Sequence, residues 1–238
     1  MKFAGRPRVI VNFAMTVDGK VSTRKFTPTG FTGSADKRRL RGIRALGDAL
    51  LVGAATVAAD SMAMGLSDGG LQKARIRRGQ APEPLRVLLT NSGKLNLKWK
   101  VFANSRTPLV IFAGRRISSA TRNSLPDFCD LWVFERETVS MASVLEILAE
   151  DYGIRTLVCE GGPRVFRSLA SEGAVDELFL TIAPRIFAGS TAPTLTGNPS
   201  DFLPKGLQLR LISGRVVQDE WHGHYSIAKK NMRCVVFD

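Results

Sequence analysis

Cysteine is scarce in this chain, and long hydrophobic runs are missing. The 238 residues contain three cysteines, Cys129, Cys159 and Cys234, which lie far apart and form no Cys-x-x-Cys pair. This spacing predicts neither a disulfide framework nor a zinc site, so we expect reduced cysteines that serve in packing. No apolar run approaches about 18 residues, and the sequence therefore contains no candidate membrane span.

Secretory features are absent as well, and acidic residues are few. Residues 1–8 are basic and lack the apolar stretch and cleavage site of a signal peptide, so we expect a cytoplasmic protein. The 34 Lys and Arg against 21 Asp and Glu give a net charge of +13, which favours anionic partners. Because the basic clusters lack interleaved aromatics and any helix-turn-helix or RNA-binding pattern, a small phosphorylated ligand is favoured over nucleic acid.

What the chain does contain is an alternation of β-branched runs with helical stretches, typical of an α/β domain whose central sheet is mostly parallel. Strands are predicted at 8–15, 49–52, 85–90, 108–113, 131–134 and 155–159. Helices are predicted at 34–46, with Ser34 as its cap, and at 140–151.

The character of the sequence changes after Ala174. The strand-like runs 175–184, 207–217 and 221–228 follow one another without a long helix between them, which predicts antiparallel strands that complete the sheet. We expect a single domain over residues 1–238, with an irregular insertion at 66–84 and a possible tail at 229–238.

The strongest local signal is a glycine turn between a strand and a helix. Glu160, Gly161 and Gly162 follow an apolar strand, Pro163 suits the first position of a helix, and an apolar helical face continues towards Glu172. Glycines let the main chain approach a ligand closely, and a helix start offers N–H groups to a phosphate. The motif predicts a site for a cofactor pyrophosphate, although two glycines can also simply make a tight turn.

Two further segments carry polar residues in a suggestive order. The strand that starts the segment 12–20 ends in Asp18-Gly19, which by itself is an ordinary turn pair. In the segment 44–60, a helix leads to a buried strand, after which Thr56 and Asp60 lie one helical turn apart and can reach one ligand together.

With the stretch from Val175 to Pro184, these segments resemble the reductase of riboflavin biosynthesis, whose fold is that of dihydrofolate reductase. The resemblance spans nearly the whole chain in the expected order. It implies a mixed, mostly parallel sheet flanked by helices, NADPH as hydride donor, and a homodimer. The implied substrate is a ribosylaminopyrimidine 5′-phosphate whose ribosyl group is reduced to ribityl.

The same resemblance assigns roles to individual positions and implies no metal. Substrate contacts fall at Arg44, Glu160, Asn12 and Thr32. Cofactor contacts fall at Met15, Thr56, Asp60, Asn91, Gly161, Gly162, Pro163, Arg164, Val165 and Phe166. Candidates for the 2′-phosphate of the cofactor are Ser92, Arg115 and Arg116, which follow strands and can make charge-assisted bonds, although a solvated role suits the two arginines equally well.

The implied hydride transfer needs no side-chain nucleophile, and the sequence has no Gly-x-Ser-x-Gly elbow. His222 and His224 alternate on a terminal strand, so they share one face. A metal pair is conceivable there, but we expect exposed strand histidines.

The chain departs from the family pattern in two respects. It lacks the His-x-Glu and Pro-Cys-x-x-Cys signatures of the deaminase that accompanies the reductase in bifunctional relatives, so we expect no deaminase activity. After Asp60, the family continues with Asp-Pro or Asn-Pro and then an arginine for the substrate phosphate, whereas this chain reads Ser-Met-Ala-Met-Gly over 61–65.

Three arginines, Arg75, Arg77 and Arg78, are candidates to replace that phosphate contact. Met62 and Met64 either pack under a loop or line an adaptable pocket. Two alternatives therefore stay open: reduction of another heterocycle, such as a dihydropterin or dihydrofolate, and non-catalytic binding of a ligand or nucleic acid on the same fold.

Overall fold

The computed structural model describes residues 5–23, 30–103, 107–198, 202–203 and 206–228. The strands are β1 (Arg8–Thr16), β2 (Ala49–Gly53), β3 (Leu85–Thr90), β4 (Leu109–Ala113), β5 (Cys129–Val133), β6 (Thr156–Cys159), β7 (Glu177–Ala183), β8 (Leu209–Val217) and β9 (Glu220–Ile227). The helices are α1 (Ser34–Arg44), α2 (Ala54–Asp60), α3 (Gly69–Arg77), α4 (Lys100–Ala103), α5 (Ser119–Asn123), α6 (Met141–Glu150) and α7 (Pro163–Ser171).

The strands form one sheet in the order β5-β4-β3-β2-β6-β1-β7-β9-β8. From β5 to β7 every neighbouring pair is parallel, whereas β9 pairs antiparallel with both β7 and β8. The predicted mostly parallel sheet with antiparallel carboxy-terminal strands is therefore confirmed.

Both faces of the central strands are covered, which explains their continuous apolar runs. All five residues of β2 and of β4 are buried, because successive side chains point to opposite faces and each face has its own core. One core joins the strands to α6 and α7, and the other joins them to α1, α2 and α4.

Two expectations about local structure are wrong. The cap of α1 is Gly33, and Ser34 is already the first helical residue, where its hydroxyl accepts a hydrogen bond from Arg38. The stretch 66–84 is not wholly irregular, because it contains α3, whose start is capped by Asp68 accepting the N–H of Leu71. The predicted tail at 229–238 lies outside the described residues.

Arg75 shows why this stretch is ordered. Its side chain is buried and donates to the carbonyl oxygens of Ala45, Gly47 and Ala81, so it ties α3 to the connection between α1 and β2. Buried charge requires such partners. Arg78 also donates to Ala45. This connection enters the sheet at its amino-terminal edge, so neither arginine reaches a ligand at the opposite edge.

Within the described residues, none of the helices has both the length and the apolar composition needed to cross a membrane.

Candidate active site

The residues singled out by the sequence gather at the carboxyl ends of the parallel strands. Glu160 and Gly161 follow β6, α2 follows β2, Met15 lies near the end of β1, and Asn91 follows β3. In open α/β sheets, ligands bind outside this edge, where successive loops diverge. The sheet thus brings together segments that are far apart in the sequence.

The glycine turn is held tightly against β2 and α2. The N–H of Gly53 donates to the carbonyl of Gly161 at 2.8 Å, and the N–H of Glu160 donates to that of Leu51 at 3.0 Å. The peptide between Gly161 and Gly162 is cis.

Neither glycine leaves room for a side chain. A β-carbon on Gly162 would lie 2.5 Å from Oγ1 of Thr56, and one on Gly161 would lie 2.9 Å from Cζ of Phe13. Gly161 also has a φ of +91°, which L residues rarely adopt. The turn therefore presents bare backbone directly beside Thr56, a cradle suited to a closely approaching phosphate group.

Helix α7 begins at this turn, with Gly162 as its cap and Pro163 at its first position. The side chains of Val165 and Phe166 are buried, and both N–H groups donate to the carbonyl of Gly162, at 2.9 and 3.1 Å. These two residues therefore build the helix start. Because Pro163 has no N–H, the donors that remain for an anion at this helix end are those of Gly162 and Arg164.

Arg44 and Glu160 form a bidentate ion pair. Arg44 donates from Nε to Oε1 at 2.6 Å and from Nη2 to Oε2 at 2.7 Å, and its Nη1 donates to the carbonyl of Gly65 at 2.9 Å. Their side chains are only 15% and 5% exposed. Burial lowers the pKa of Arg44, but the charge and hydrogen bonds of Glu160 outweigh this and raise it overall. The two predicted substrate residues thus form one rigid unit.

Asn12 belongs with this pair by register. Val11 lies opposite Cys159, so the next residues along the two strands, Asn12 and Glu160, lie side by side at the end of the sheet. Thr32 lies at the other end of α1 from Arg44, separated by a helix of 11 residues that is about 16 Å long. The structure thus brings three of the four predicted substrate residues together directly, and α1 connects the fourth to them.

Asp60 ends α2 next to the ion pair. The removal of water by surrounding atoms, and then the charge of Glu160, raise the pKa of the Asp60 carboxyl above its ordinary value of 3.8. The following residue, Ser61, has a left-handed conformation with φ of 48° and turns the chain away from the site. Thr56 lies one turn earlier on the same helix, as the spacing predicted.

The segment 61–66 after α2 is packed rather than open. Met64 and Leu66 are each 1% exposed, and Met62 packs against the same core. The N–H of Leu66 is bound by Glu83 at 3.4 Å. The methionines therefore pack under the loop, and no adaptable methionine-lined pocket forms there.

The predicted 2′-phosphate candidates share one loop cluster after β3 and β4. Oδ1 of Asn91 accepts the N–H of Val139 at 3.0 Å, which fixes the loop that also carries Ser92. Arg115 and Arg116 both donate to Glu137, and these hydrogen bonds lower the pKa of Glu137. The two arginine side chains are 63% and 60% exposed, and Glu137 holds both guanidinium groups at the surface.

Asp18 serves the loops rather than a ligand. Its carboxylate accepts the hydroxyl of Thr16 and the N–H groups of Phe187 and Ala188, at 3.2 and 2.7 Å for the latter two. The hydrogen bond from Thr16 is the largest cause that lowers the pKa of Asp18. The carboxylate thus joins the turn after β1 to the loop after β7.

The two histidines differ in part from expectation. His222 and His224 share one face, but His222 is buried and lies beside Glu220, so its expected exposed position is wrong. No group of three or more potential ligands that could hold a metal occurs among the described residues.

Burial raises the pKa of the Cys159 thiol to about 12, which suits a packing role. Cys234 lies outside the described residues.

Sequence reasoning missed three contributors to this edge: Phe13, Gly53 and Glu220. Gly53 had a detectable signal, because a glycine between a buried strand and a helix often marks a close approach of backbone. A β-carbon there would lie 3.0 Å from Cγ2 of Val165. Phe13 and Glu220 gave no local signal, since their roles depend on partners distant in the sequence.

The sheet order, the antiparallel carboxy-terminal pair and the glycine turn at the carboxyl edge define an α/β protein with one mixed, mostly parallel sheet and a candidate ligand site where the parallel strands end. More specifically, the chain belongs to the family described as RibD C-terminal domain, whose model matches residues 7–222. The family resemblance predicted from the sequence is confirmed.

Two relatives carry a more specific name, 2,5-diamino-6-ribosylamino-4(3H)-pyrimidinone 5′-phosphate reductase. The protein from Archaeoglobus fulgidus is 31% identical over 201 residues, covering 84% of this chain and 90% of its own. The protein from Methanothermobacter thermautotrophicus is 31% identical over 207 residues, which cover 87% of this chain and 91% of that relative. A pyrimidine reductase-like protein from Corynebacterium diphtheriae has a similar fold, with a TM-score of 0.83 at 21% identity over 94% of this chain and 92% of that one.

Proposed function

We propose that this chain is the NADPH-dependent reductase that converts the ribosyl group of a ribosylaminopyrimidine 5′-phosphate to ribityl in riboflavin biosynthesis. The observation that carries the proposal is the junction at residues 160–162. There the buried Arg44–Glu160 pair is directly continuous with the glycine cradle against Thr56. A substrate group and a cofactor phosphate group are thus held by consecutive residues.

The donor set suits a dinucleotide. The Gly161–Gly162 backbone, the start of α7 and the hydroxyl of Thr56 offer hydrogen bonds to a pyrophosphate without a side chain in the way. A reduced nicotinamide bound at this edge supplies a hydride. The protein supplies alignment, which by general estimates lowers such a barrier by about 7–11 kcal/mol.

On the substrate side, Glu160 and Asn12 offer oxygen and amide groups to the polar edge of a pyrimidine or to sugar hydroxyls. Arg44 holds the Glu160 carboxylate in a single orientation, so that its remaining lone pairs face the ligand. In the proposed reaction, the bond between the first sugar carbon and the ring oxygen breaks and the glycosylamine proton passes to that oxygen, which leaves an imine. The same carbon would then accept the hydride, and the imine nitrogen would take a proton from solvent. Asp60, with its raised pKa, is the titratable group placed beside this pair.

The assay that tests this function measures oxidation of NADPH with four compounds: the 2,5-diamino ribosylaminopyrimidinone phosphate, its deaminated counterpart, dihydrofolate and a dihydropterin. Because the two relatives are named for the diamino compound, we expect the highest kcat/KM with it. Turnover of dihydrofolate or dihydropterin, without turnover of either pyrimidine compound, would instead support a reductase of another heterocycle. Failure to bind NADPH at micromolar concentration would exclude both and leave non-catalytic binding.

We further propose that Ser92, Arg115 and Arg116 bind the 2′-phosphate that distinguishes NADPH from NADH. In the Arg115→Ala, Arg116→Ala double variant, we expect KM for NADPH to rise about tenfold while KM for NADH stays unchanged, because charge-assisted bonds to that phosphate are lost. Arg122→Ala, an exposed arginine on the nearby α5, is the matched control. An equal change in both KM values would contradict the assignment.

The proposed assembly is a homodimer formed through β8. This strand lies at one edge of the sheet, and Leu209, Leu211 and Val216 expose 40%, 53% and 68% of their surface. Their register against Ile227, Tyr225 and Trp221 places all three on one face. An exposed apolar face on an edge strand favours pairing with another chain.

A further inference from the structure

Two carboxylate–histidine pairs involve histidines of β9. One of them, formed by Glu220 and His222, also contacts the turn before α1. His222 Nε2 lies 3.2 Å from Oε2 of Glu220, with both side chains almost fully buried. His224 Nε2 lies 2.8 Å from Oε2 of Glu177, which also binds Arg8. The second pair thus connects strands only.

Glu220 also holds the start of α1. Its other oxygen, Oε1, accepts the N–H of Gly33 at 2.5 Å, and Gly33 is the residue that caps this helix. A carboxylate at a helix start is favoured both by the unpaired N–H groups and by the helix dipole. Because the cap residue is a glycine and has no side chain to bond the helix start, Glu220 supplies a carboxylate there from 187 residues away.

The imidazole of His222 orients this carboxylate. Among the described residues, no group bonds its buried Nδ1, so its polar contact is the one that Nε2 makes with Glu220. Arg39 approaches from α1 and binds Thr181, which lies opposite His222 on β7. The contacts with His222 and with the N–H of Gly33 thus engage both oxygens of the Glu220 carboxylate.

This contact lies at the carboxyl edge of the sheet. Since β9 runs antiparallel to β7, its first residue, Glu220, lies level with the end of β7. The turn before α1 is also held by Phe31, whose ring packs edge-on against Phe187 at 5.3 Å. Thr32 lies between these two anchors.

We propose that Glu220 is a positioning residue for the substrate, which acts by holding residues 30–33 and the start of α1. This inference rests on the proposed function. The elements it holds carry Thr32 and Arg44, whereas the proposed cofactor cradle is built by β2, α2 and α7, and the hydrogen bonds of Glu220 within the described part of the chain go to Gly33 and His222 instead. Its loss affects substrate affinity and leaves cofactor affinity intact.

The test compares three variants with the wild type by steady-state kinetics, varying NADPH and the diamino substrate separately. Glu220→Ala is expected to raise KM for the substrate about tenfold, with KM for NADPH within about twofold of wild type, because a charged hydrogen bond is lost only on the substrate side. Glu220→Gln keeps an oxygen that accepts the N–H of Gly33 and is expected to restore substrate KM to within about threefold. Glu177→Ala is the matched control and is expected to leave both values unchanged.

The outcomes separate the two proposals. A wild-type protein that does not reduce the substrate contradicts the proposed function itself. An active wild type with unchanged substrate KM in Glu220→Ala, equal shifts for substrate and NADPH, or an equal effect of Glu177→Ala overturns the positioning role. If Glu220→Ala does not fold, Glu220→Asp, one methylene too short for the contact, is measured with the same criteria.

Discussion

At the scale of single residues, the site depends on close approaches rather than on reactive side chains. Gly162 has no steric freedom, because the hydroxyl of Thr56 occupies the space where a β-carbon would be. Asp60 retains a carboxyl whose ionisation is disfavoured by its surroundings. Residues selected for function are often not the ones that give the highest stability. Substitutions of Gly162 and Asp60 should therefore change stability and NADPH binding separately.

Gly162→Ala is expected to lower the free energy of unfolding by about 1–3 kcal/mol and to weaken NADPH binding, because the new methyl group overlaps Thr56 and fills the cradle. Adding Thr56→Ala relieves the overlap, so stability recovers while NADPH affinity stays low. Denaturant unfolding and NADPH titration measure the two effects. Gly42→Ala on α1, where a β-carbon meets open space, is the control. Unchanged NADPH affinity in folded Gly162→Ala would contradict the cradle.

Asp60→Asn is expected to raise the melting temperature at about pH 7 and to have less effect at about pH 3. The pKa of Asp60 is raised in the fold, so the unfolded chain loses this proton first as pH rises, and folding is penalised once the carboxylate forms. The variant removes that penalty and also removes the proposed cofactor contact. Thermal unfolding at both pH values tests the first effect, and an equal shift at both would contradict it.

At the scale of secondary-structure elements, the site is the meeting point of α1, β6 and the segment after α2. Arg44 connects them by hydrogen bonds to Glu160 and to the carbonyl of Gly65. The segment after α2 is held by the buried side chains of Met64 and Leu66. The residues that stand where the family has Asp-Pro or Asn-Pro therefore serve packing. The proposed substrate site therefore predicts a larger effect on substrate KM from changes in α1 than from changes in this loop.

Arg44→Ala is expected to destabilise the protein by about 3 kcal/mol, because it leaves the buried Glu160 carboxylate without its partner. It is also expected to raise KM for the substrate with little change for NADPH. In the double variant with Glu160→Gln, part of the stability returns, since no buried charge remains, whereas substrate affinity does not. Chemical unfolding and kinetics of the single and double variants provide the measurement. Full stability in Arg44→Ala would refute the structural part of this role.

At the scale of the whole molecule, one continuous sheet runs from a covered parallel half to an exposed antiparallel edge. The outer strand β8 is exposed along nearly its whole length, unlike the fully buried β2 and β4. The exposed apolar face of β8 is the surface through which the homodimer proposed above would form.

Leu211→Glu combined with Val216→Glu is therefore expected to convert a dimer into a monomer, because two charges would be buried without partners at the interface. Light scattering coupled to gel filtration measures the mass. Ile76→Glu, which replaces an equally exposed apolar residue on α3, is the control and should remain dimeric. A monomeric wild type at micromolar concentration would contradict the proposed assembly.

Much of the fold was predictable because its determinants are local. The apolar runs predicted every strand to within two residues at either end, and Gly161, Gly162 and Pro163 predicted the start of α7 from their own backbone preferences. The order of motifs was sufficient for the family. Prediction failed for the cap of α1 and for α3. The start of α1 is held by Glu220, and α3 is held by Arg75, which binds carbonyls outside the helix. In both cases the partners lie in other segments of the chain.

The sequence by itself thus determined the α/β class, the glycine turn and the identities of the candidate ligand-binding residues. Only the tertiary structure decided that Arg44 and Glu160 bind each other, that Arg75 is buried away from the site, and that Glu220 caps α1. The physical reason is that hydrogen bonds, ion pairs and desolvation depend on distances of a few ångströms, which the tertiary fold sets between residues that are separated in the sequence, by more than one hundred positions for Arg44 with Glu160 and for Gly33 with Glu220.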